Sequence, residues 1–182
     1  MKNENLINVA KHYKTPVYVY NGNKIKNQFQ RLKNAFSEVD NLRINYACKA
    51  LSNISILNLI RSFGSGLDTV SIQEVQLGIK AGFKPKDIIF TPNGVSLEEI
   101  ESVATMGVQI NIDNLSTLEQ FGTKHPSTPV CIRINPHVMA GGNSNISVGH
   151  IDSKFGISIH QIPHILRLSL IHISEPTRPL YI

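Results

Sequence analysis

Short apolar runs recur along this chain at nearly regular intervals, and their spacing constrains the fold more than any other feature. From the second run onward the starts lie about 20 residues apart, the pace of β-strand and α-helix units joined by short loops. Several runs are apolar nearly throughout, as in a parallel sheet covered on both faces. The predicted strands are VYVY at 17–20, RINYAC at 43–48, GLDTV at 66–70, DIIFT at 87–91, GVQINI at 107–112 and PVCIRI at 129–134.

Segments with helical patterns fall between these runs. Ser71 is followed three residues later by Glu74, which is the spacing of a helix capping box, and Ser96 and Glu99 repeat it. Gly82 stands where a helix is expected to end. The alternation of strands and helices predicts a single α/β unit with a parallel sheet. The predicted helices cover 24–36, 54–63, 71–82, 96–106 and 116–121, with a further one near 161–166.

The composition excludes several classes of protein. With 182 residues, 41% of them hydrophobic, the chain can bury a sizeable core and does not have a disordered composition. The net charge of +5 comes with no nucleic-acid motif, so we expect no nucleic-acid partner. No run reaches membrane-spanning length and the N-terminus lacks the apolar core of a secretion signal, so we expect a cytoplasmic location. Cys48 and Cys131 are predicted to be free thiols.

Lys49 is the first candidate for chemistry. It ends the apolar run 43–48, so it is predicted at the carboxyl end of a parallel strand, where α/β proteins bind their ligands. An amine there could form a Schiff base if its surroundings lower its pKa. Position alone favours a solvated lysine at a strand end.

Three further charged residues could share that edge of the sheet. Asp68 lies inside an apolar run and needs a partner there. Glu74 could help to orient Lys49, although a capping box alone would explain it. Arg133, near the end of another strand, suits an anion, a carboxylate network or a structural salt bridge. The histidines show no metal-binding spacing, and we predict no metal site.

The loop that follows Arg133 is rich in glycine, serine and asparagine. It covers residues 139–150 and reads MAGGNSNISVGH. Loops of this length at a catalytic face are often functional. This one matches neither the P-loop nor the dinucleotide-binding fingerprint, so the sequence favours a flexible surface loop.

Taken together, these motifs resemble the N-terminal part of the fold-type III decarboxylases that use pyridoxal phosphate (PLP). The matching pieces are TPVYVY, YACKALSN, GSGLDTVSIQE, IIFTPNGVS, GVQINIDN, RINPHVMAGG and SKFGI, spread over residues 15–157. YACKA followed by GLDTVS and a glutamate is typical of the superfamily. RINP followed by KFG points to the branch that acts on diaminopimelate.

The resemblance implies the fold, the cofactor and the roles of the candidate residues. The fold would be the first part of a PLP-binding (β/α)8 barrel of the TIM type, which the family combines with a β-domain. Lys49 would be the Schiff-base lysine that holds PLP. Asp68 and Glu74 would match the acidic pair near that lysine, and Arg133 an arginine that orders them.

The resemblance also implies a reaction. The full-length protein would be a cytoplasmic homodimer that decarboxylates meso-diaminopimelate, a small amino acid, to give lysine. Another fold-type III amino-acid decarboxylase and a non-catalytic PLP-binding homeostasis protein remain as alternatives. An alanine racemase fits less well, because the family's Tyr-Gly-His continuation is replaced by ALSN.

The last residues do not resemble natural protein sequence. LSLIHISEPTR, which begins at Leu168, resembles the translation of a transposase adapter used in sequencing libraries. We therefore expect residues 1–167 to form part of the barrel and residues 168–182 to be a non-native tail. The natural protein is expected to continue past Arg167 and to supply the remaining groups around the cofactor, so we expect the chain itself to be inactive.

Overall fold

The computed structural model describes residues 3–138 and 154–172, with side chains described as far as residue 168. Within these ranges the helices are α1 Asn3–Tyr13, α2 Gly22–Ala35, α3 Ile54–Ser62, α4 Ile72–Lys80, α5 Leu97–Thr105, α6 Leu115–Lys124 and α7 Ile162–His172. The strands are β1 Asn45–Ala47, β2 Gly66–Thr69, β3 Ile88–Phe90, β4 Gln109–Ile112, β5 Val130–Ile132, β6 Ile134–Asn135 and β7 Ile157–Ser158. Short 3-10 turns cover Cys48–Ala50, Pro85–Asp87 and Ile159–Gln161.

The sheet follows the order of the chain. Strands β1 to β5 pair in parallel in the order β1-β2-β3-β4-β5, and β6 pairs in parallel with β7. Consecutive helices from α3 to α7 pack on one another. A doubly wound sheet reverses its strand order at a switch point, whereas a barrel adds each strand beside the last. The predicted α/β class, with the first part of a TIM-type barrel, is therefore confirmed.

Arg133 joins the two groups of strands through its backbone. Its N–H donates to the carbonyl of Ile112 on β4 at 2.8 Å, and its carbonyl accepts from the N–H of Ile157 on β7 at 2.8 Å. The predicted strand 129–134 is thus interrupted at Arg133 and divided into β5 and β6. The backbone of Arg133 therefore links the five-stranded sheet β1–β5 to the two-stranded sheet β6–β7.

The strand register separates a buried face from a half-buried one. The face that the helices cover forms the core, and its residues on β2, β3 and β4 are at most 2% exposed. Asp68 pairs with Ile89 on the opposite face, and Asn111 pairs there with Cys131. In a complete barrel this second face lines the interior. The core residues on β2, β3 and β4 are Leu67, Thr69, Ile88, Phe90, Ile110 and Ile112.

The N-terminal region is where the sequence-based assignment is wrong. Residues 17–20 form no strand, and Tyr18 is 89% exposed. A strand exists only where its backbone groups find partners, and the described residues offer none here. Helix α1 was not predicted, because its apolar residues, including Leu6 and Ile7, bury nothing and give a weak pattern.

The helix caps agree with the sequence and add a contact between helices. The hydroxyl of Ser71 accepts from the N–H of Glu74 at 3.3 Å, and that of Ser96 accepts from the N–H of Glu99 at 3.2 Å. The Glu99 carboxylate does not return to its own cap. It accepts from the N–H of Ile72 at 2.9 Å, one of the unpaired donors that begin α4. The two helices are therefore tied together at the edge of the sheet where strands end.

The last helix is longer than predicted. The sequence predicted a helix near 161–166 that the tail would interrupt, whereas α7 continues to His172. Leu168 is partly buried against the core and lies three residues after the buried Ile165, so both lie on one apolar stripe. Residues 173–182, the rest of the predicted tail, lie outside the described residues. The boundary at residue 168 stays a prediction.

Gly156, in the KFG motif, is required by two independent constraints. Its φ is +82°, and a Cβ there would lie 2.8 Å from the backbone nitrogen of Asn135 and 3.0 Å from the carbonyl carbon of Ile134. Gly94 also has a positive φ, +70°, but a Cβ there would meet nothing within 4 Å. Both glycines therefore have a left-handed backbone, but only at Gly156 would a side chain also clash with a neighbouring strand.

We expect Gly156→Ala to lower stability much more than Gly94→Ala. The left-handed conformation should cost each variant about 1–2 kcal/mol, and the clash with the β6 backbone should add about 1–3 kcal/mol to Gly156→Ala alone. Thermal unfolding of the two variants beside the unchanged sequence, all made in the longer natural protein expected to continue past Arg167, measures the difference. Equal unfolding midpoints would contradict the assigned close approach.

Candidate active site

Lys49 lies where the sequence placed it, immediately beyond the carboxyl end of β1. The strand ends at Ala47, and the chain enters the 3-10 turn Cys48–Ala50 before Asn53 caps α3. Lys49 is exposed, and among the described residues its ammonium group has no hydrogen bond or ion pair. The amine is therefore presented at the edge of the sheet without a partner in the described part of the chain.

A buried thiol lies beside two of the predicted carboxylates. Cys48 is fully buried, and burial, together with the nearby Glu74 and Asp68, raises the pKa of its thiol to about 11. Burial is the largest cause, followed by repulsion from the Glu74 carboxylate and then from that of Asp68. Both predicted acids therefore lie within electrostatic range of the residue that precedes Lys49.

The predicted need of Asp68 for a partner is met from the next strand. Its Oδ1 accepts a hydrogen bond from the hydroxyl of Thr91 at 2.9 Å. Asn111, on β4, donates from its side-chain amide to the same hydroxyl at 2.9 Å. Neither Thr91 nor Asn111 was a candidate in the sequence. Both lie at the ends of apolar runs, which is the signal that could have identified them.

Glu74 makes the structural contact expected near a helix start and also lies near Cys48. Its Oε2 accepts from the backbone N–H of Val70 at 2.8 Å, so the carboxylate holds the loop that leads into α4. Its effect on the Cys48 thiol shows that the same carboxylate lies near the end of β1. The capping role and the predicted site role are compatible.

Arg133 is held against an aromatic ring. Its guanidinium carbon lies 4.5 Å from the centre of the Phe155 ring, a cation–π contact that fixes the head group. Within the described residues no ion pair joins Arg133 to Asp68, Glu74 or another carboxylate. The salt bridge that the sequence left open is therefore not formed in this part of the structure. The Arg133 side chain is half-buried, and its role in the site stays a prediction.

A buried acid, Asp113, was also missed in the sequence. It is 8% exposed, and its Oδ2 accepts from the side-chain amide of Asn93 at 2.8 Å. Asn114 approaches its other oxygen at 3.5 Å and caps α6. Buried carboxylates need such donors. Asp113 therefore fixes the loops that follow β3 and β4.

Some predictions concern residues or features that the structure describes only in part. The loop 139–150 lies outside the described residues. In the described ranges, no three His, Cys, Asp or Glu side chains are grouped as metal ligands would be. None of the helices in those ranges is long and apolar enough to cross a membrane.

Because the pKa of Cys48 is raised, its thiol should be alkylated slowly. Because only the thiolate reacts, we expect iodoacetamide to modify Cys48 in the folded protein about 100-fold more slowly than in the unfolded protein at pH 8. The rate should rise with a midpoint near pH 11. The thiol form stabilises the fold, so this contribution is present below about pH 9 and is lost as pH rises through 11. Peptide mass spectrometry follows Cys48 separately from Cys131.

Glu74→Gln provides the matched control for this titration. It keeps the shape of the side chain and removes the larger of the two charge contributions, so the Cys48 midpoint should fall. A midpoint near 9 in the unchanged folded protein would contradict the burial of Cys48 beside these carboxylates.

Known proteins that are similar to this chain are pyridoxal-dependent decarboxylases. Residues 22–172 match the family described as pyridoxal-dependent decarboxylase, pyridoxal binding domain. The diaminopimelate decarboxylase of Methanothermobacter thermautotrophicus is 34% identical over 166 residues, which cover 90% of this chain and 39% of that protein. The diaminopimelate decarboxylase of Helicobacter pylori strain J99 is 41% identical over 150 residues, which cover 80% of this chain and 37% of that protein.

A solved structure shows the same likeness in three dimensions. The Helicobacter pylori diaminopimelate decarboxylase complexed with L-lysine has a TM-score of 0.78 to this chain at 36% identity. The match covers 93% of this chain and 43% of that one. The chain thus spans about two fifths of the length of the relatives that it matches.

Proposed function

The chain belongs to the pyridoxal-dependent decarboxylases, and on that premise we propose that the longer protein of which it is a part decarboxylates meso-diaminopimelate to lysine. The observation that carries the proposal is Lys49, an amine at the end of β1 without a partner in the described residues. It follows a buried thiol whose pKa is raised in part by Glu74 and Asp68. The substrate follows from relatives named diaminopimelate decarboxylases at 34% and 41% identity.

The residues present fit the anchor of a PLP site. The aldehyde of PLP needs a primary amine that can approach it, and the exposed Lys49 supplies one. The carboxylate of Asp68 has one oxygen held by Thr91 and lies on the face that would line the barrel interior. When bound, PLP supplies the electron sink for the pair that remains as carbon dioxide leaves. The groups for its phosphate and ring nitrogen are expected after residue 167.

Cys48 has a protective part in this proposal. A thiolate beside Lys49 would compete with the amine for an aldehyde, because thiolates are strong nucleophiles. Burial and the two carboxylates raise the pKa of Cys48 to about 11, which keeps it protonated near neutral pH. Burial, the largest cause, and the two carboxylates therefore keep the Cys48 thiol from competing with the amine of Lys49.

Arg133 is suited to binding a carboxylate. It is half-buried, its head group is fixed on Phe155, and it forms no ion pair within the described residues. A planar guanidinium can bind a carboxylate through two hydrogen bonds. Arg133 would therefore bind an acidic group of the substrate or order the acidic pair.

The test is the release of carbon dioxide by the longer protein, recovered with the coding sequence that follows Arg167 in its source. With PLP present, meso-diaminopimelate should be consumed and lysine formed, while ornithine and arginine should react poorly. Preference for ornithine or arginine would assign another decarboxylase of this fold. PLP binding without turnover would support the homeostasis protein and overturn the proposal.

Three further proposals accompany this one. The longer protein is cytoplasmic and a homodimer, and residues 168–182 are not native to it. A natural sequence that continues from Arg167 into the same tail would overturn the last of these.

A further inference from the structure

Three polar side chains on neighbouring strands form a continuous hydrogen-bonded chain at the carboxyl edge of the sheet. The amide nitrogen of Asn111, on β4, donates to the hydroxyl of Thr91 at 2.9 Å. That hydroxyl, just after β3, donates to Oδ1 of Asp68, on β2, at 2.9 Å. The chain runs across the sheet from β4 to β2.

The chemistry of the hydroxyl fixes the direction of this chain. A threonine hydroxyl has one proton, so Thr91 can donate to Asp68 only while the bond from Asn111 leaves that proton free. This requirement also fixes the amide of Asn111, whose Oδ1 must face away from Thr91. Oδ1 of Asn111 is buried and has no hydrogen-bond partner within the described residues. Within the described residues, this acceptor therefore stays unpaired while the amide nitrogen donates to Thr91.

A purely structural role explains this arrangement poorly. The backbone of Thr91 is already paired, since its N–H donates to the carbonyl of Thr69 at 2.8 Å. Valine at 91 and leucine at 111 would fill similar volumes on this half-buried face without polar groups to satisfy. An unpaired buried acceptor is costly, so the chain is better explained by what it does to Asp68.

The register shows where Asp68 is held. Asp68 pairs with Ala47 on β1, two residues before Lys49. Its carboxylate is near enough to Cys48 to raise the pKa of that thiol. With Oδ1 engaged by Thr91, the other oxygen, Oδ2, has no partner within the described residues. Thr91 therefore fixes one oxygen of the carboxylate beside the end of β1, and the second oxygen has no partner in the described part of the chain.

We propose that Thr91 and Asn111 are positioning residues that hold the Asp68 carboxylate in a fixed orientation at the site of Lys49. The proposal rests on the proposed function for its kinetic consequences, although the position of Asp68 can be measured without it. Thr91 acts through Asp68, and Asn111 acts through Thr91.

The decisive comparison is Thr91→Val against Thr91→Ser in the longer, PLP-loaded protein. Valine keeps the shape and removes the hydroxyl, so we expect kcat to fall about 10-fold to 100-fold, the effect of losing a hydrogen bond to a charged group. KM should change by less than about threefold, because no substrate contact is removed. Serine keeps the hydroxyl and should restore kcat. Thr105→Val, at the exposed end of α5, is the matched control and should leave both constants unchanged.

Asn111→Asp tests the direction of the chain at constant volume. It replaces the donor with a second acceptor that competes for the single proton of Thr91, so kcat should fall at least as far as in Thr91→Val. Asn111→Leu removes the donor without adding charge. If Thr91→Val does not fold, Asn111→Leu and Asn111→Asp decide the question.

Crystal structures of the variants provide a readout that needs no activity. In Thr91→Val the Asp68 carboxylate should rotate away from the position that it has in the unchanged protein. In Thr91→Ser it should keep that position. An unmoved carboxylate together with an unchanged kcat in Thr91→Val would overturn the proposal and leave the proposed function intact. If the unchanged protein releases no carbon dioxide, the proposed function fails, and the position of Asp68 alone supports or overturns the positioning role.

Discussion

Replacing Lys49 by alanine is expected to lower kcat of the longer protein by at least about 10³-fold, the scale seen when the nucleophile of a covalent mechanism is removed. Lys49 follows β1 directly, is exposed, and has no ion pair among the described residues, so its removal should leave the fold intact. The covalent link to PLP should also be lost, which is visible as the disappearance of cofactor that borohydride reduction attaches to the chain. Carbon dioxide release and mass spectrometry after reduction measure the two effects.

Two variants separate chemistry from charge in this experiment. Lys49→Arg keeps the positive charge but cannot condense with an aldehyde, so it should be as inactive as Lys49→Ala. Lys80→Ala removes an exposed lysine from the last turn of α4 and should leave kcat unchanged. Reductive attachment of PLP to the Lys49→Ala protein, with activity retained, would show that another amine is the anchor.

The repeating middle of the fold was predictable because its signals are local. The predicted helices 71–82 and 96–106 correspond to α4 and α5, and each begins at the serine that the capping pattern identified. The strands between them are short apolar runs whose burial under helices follows from their composition. Where caps, periodicity and loop length agree, the chain has few alternatives.

The N-terminal part was not predictable in the same way. The run VYVY has strong β-propensity, yet Tyr18 is 89% exposed and the described residues provide no strand beside it. Propensity gives a strand only where a partner completes the backbone hydrogen bonds. Helix α1 shows the opposite case, since it forms without burying any side chain.

The same difference between local signals and tertiary contacts applies to the residues of the candidate site. Lys49, Asp68 and Glu74 were found because each is an unusual residue at the end of an apolar run or the start of a helix. Thr91 and Asn111 were missed because threonine and asparagine are ordinary at strand ends, and only the register places them beside Asp68. That Arg133 stacks on Phe155 depends on a contact across a segment of about 20 residues, which no local pattern encodes.

The described part of the barrel leaves a strand edge and apolar surface uncovered. Strand β1 pairs only with β2 among the described strands, so its other edge has unpaired backbone groups. Helices α1 and α2 bury no side chain. Large apolar residues in this region are exposed to solvent, namely Leu6, Ile7, Tyr13, Val17, Tyr18, Val19, Tyr20, Leu32, Phe36, Val39 and Leu42.

The 182-residue chain on its own is therefore expected to show no turnover and no cooperative unfolding. A complete barrel of this type takes about 250 residues, and an open sheet with exposed apolar surface should aggregate or bind hydrophobic dyes. We expect decarboxylation at least about 10³-fold below that of the longer protein, because the site would lack the groups that hold the phosphate and ring of PLP. Carbon dioxide release, thermal circular dichroism and dye binding measure these properties.

A second chain of residues 1–167 identifies the cause of the instability. If the open barrel is responsible, this shorter chain should behave like the 182-residue chain, since both lack the same strands. If residues 168–182 are responsible, the shorter chain alone should unfold cooperatively. Sharp unfolding of the 182-residue chain, with PLP attached to Lys49 and lysine formed from meso-diaminopimelate, would show that seven strands and an open edge suffice for the site. The inner face of the sheet, with Asp68 and Asn111 half-buried, argues against that result, because electrostatic groups position charge effectively only where water is excluded.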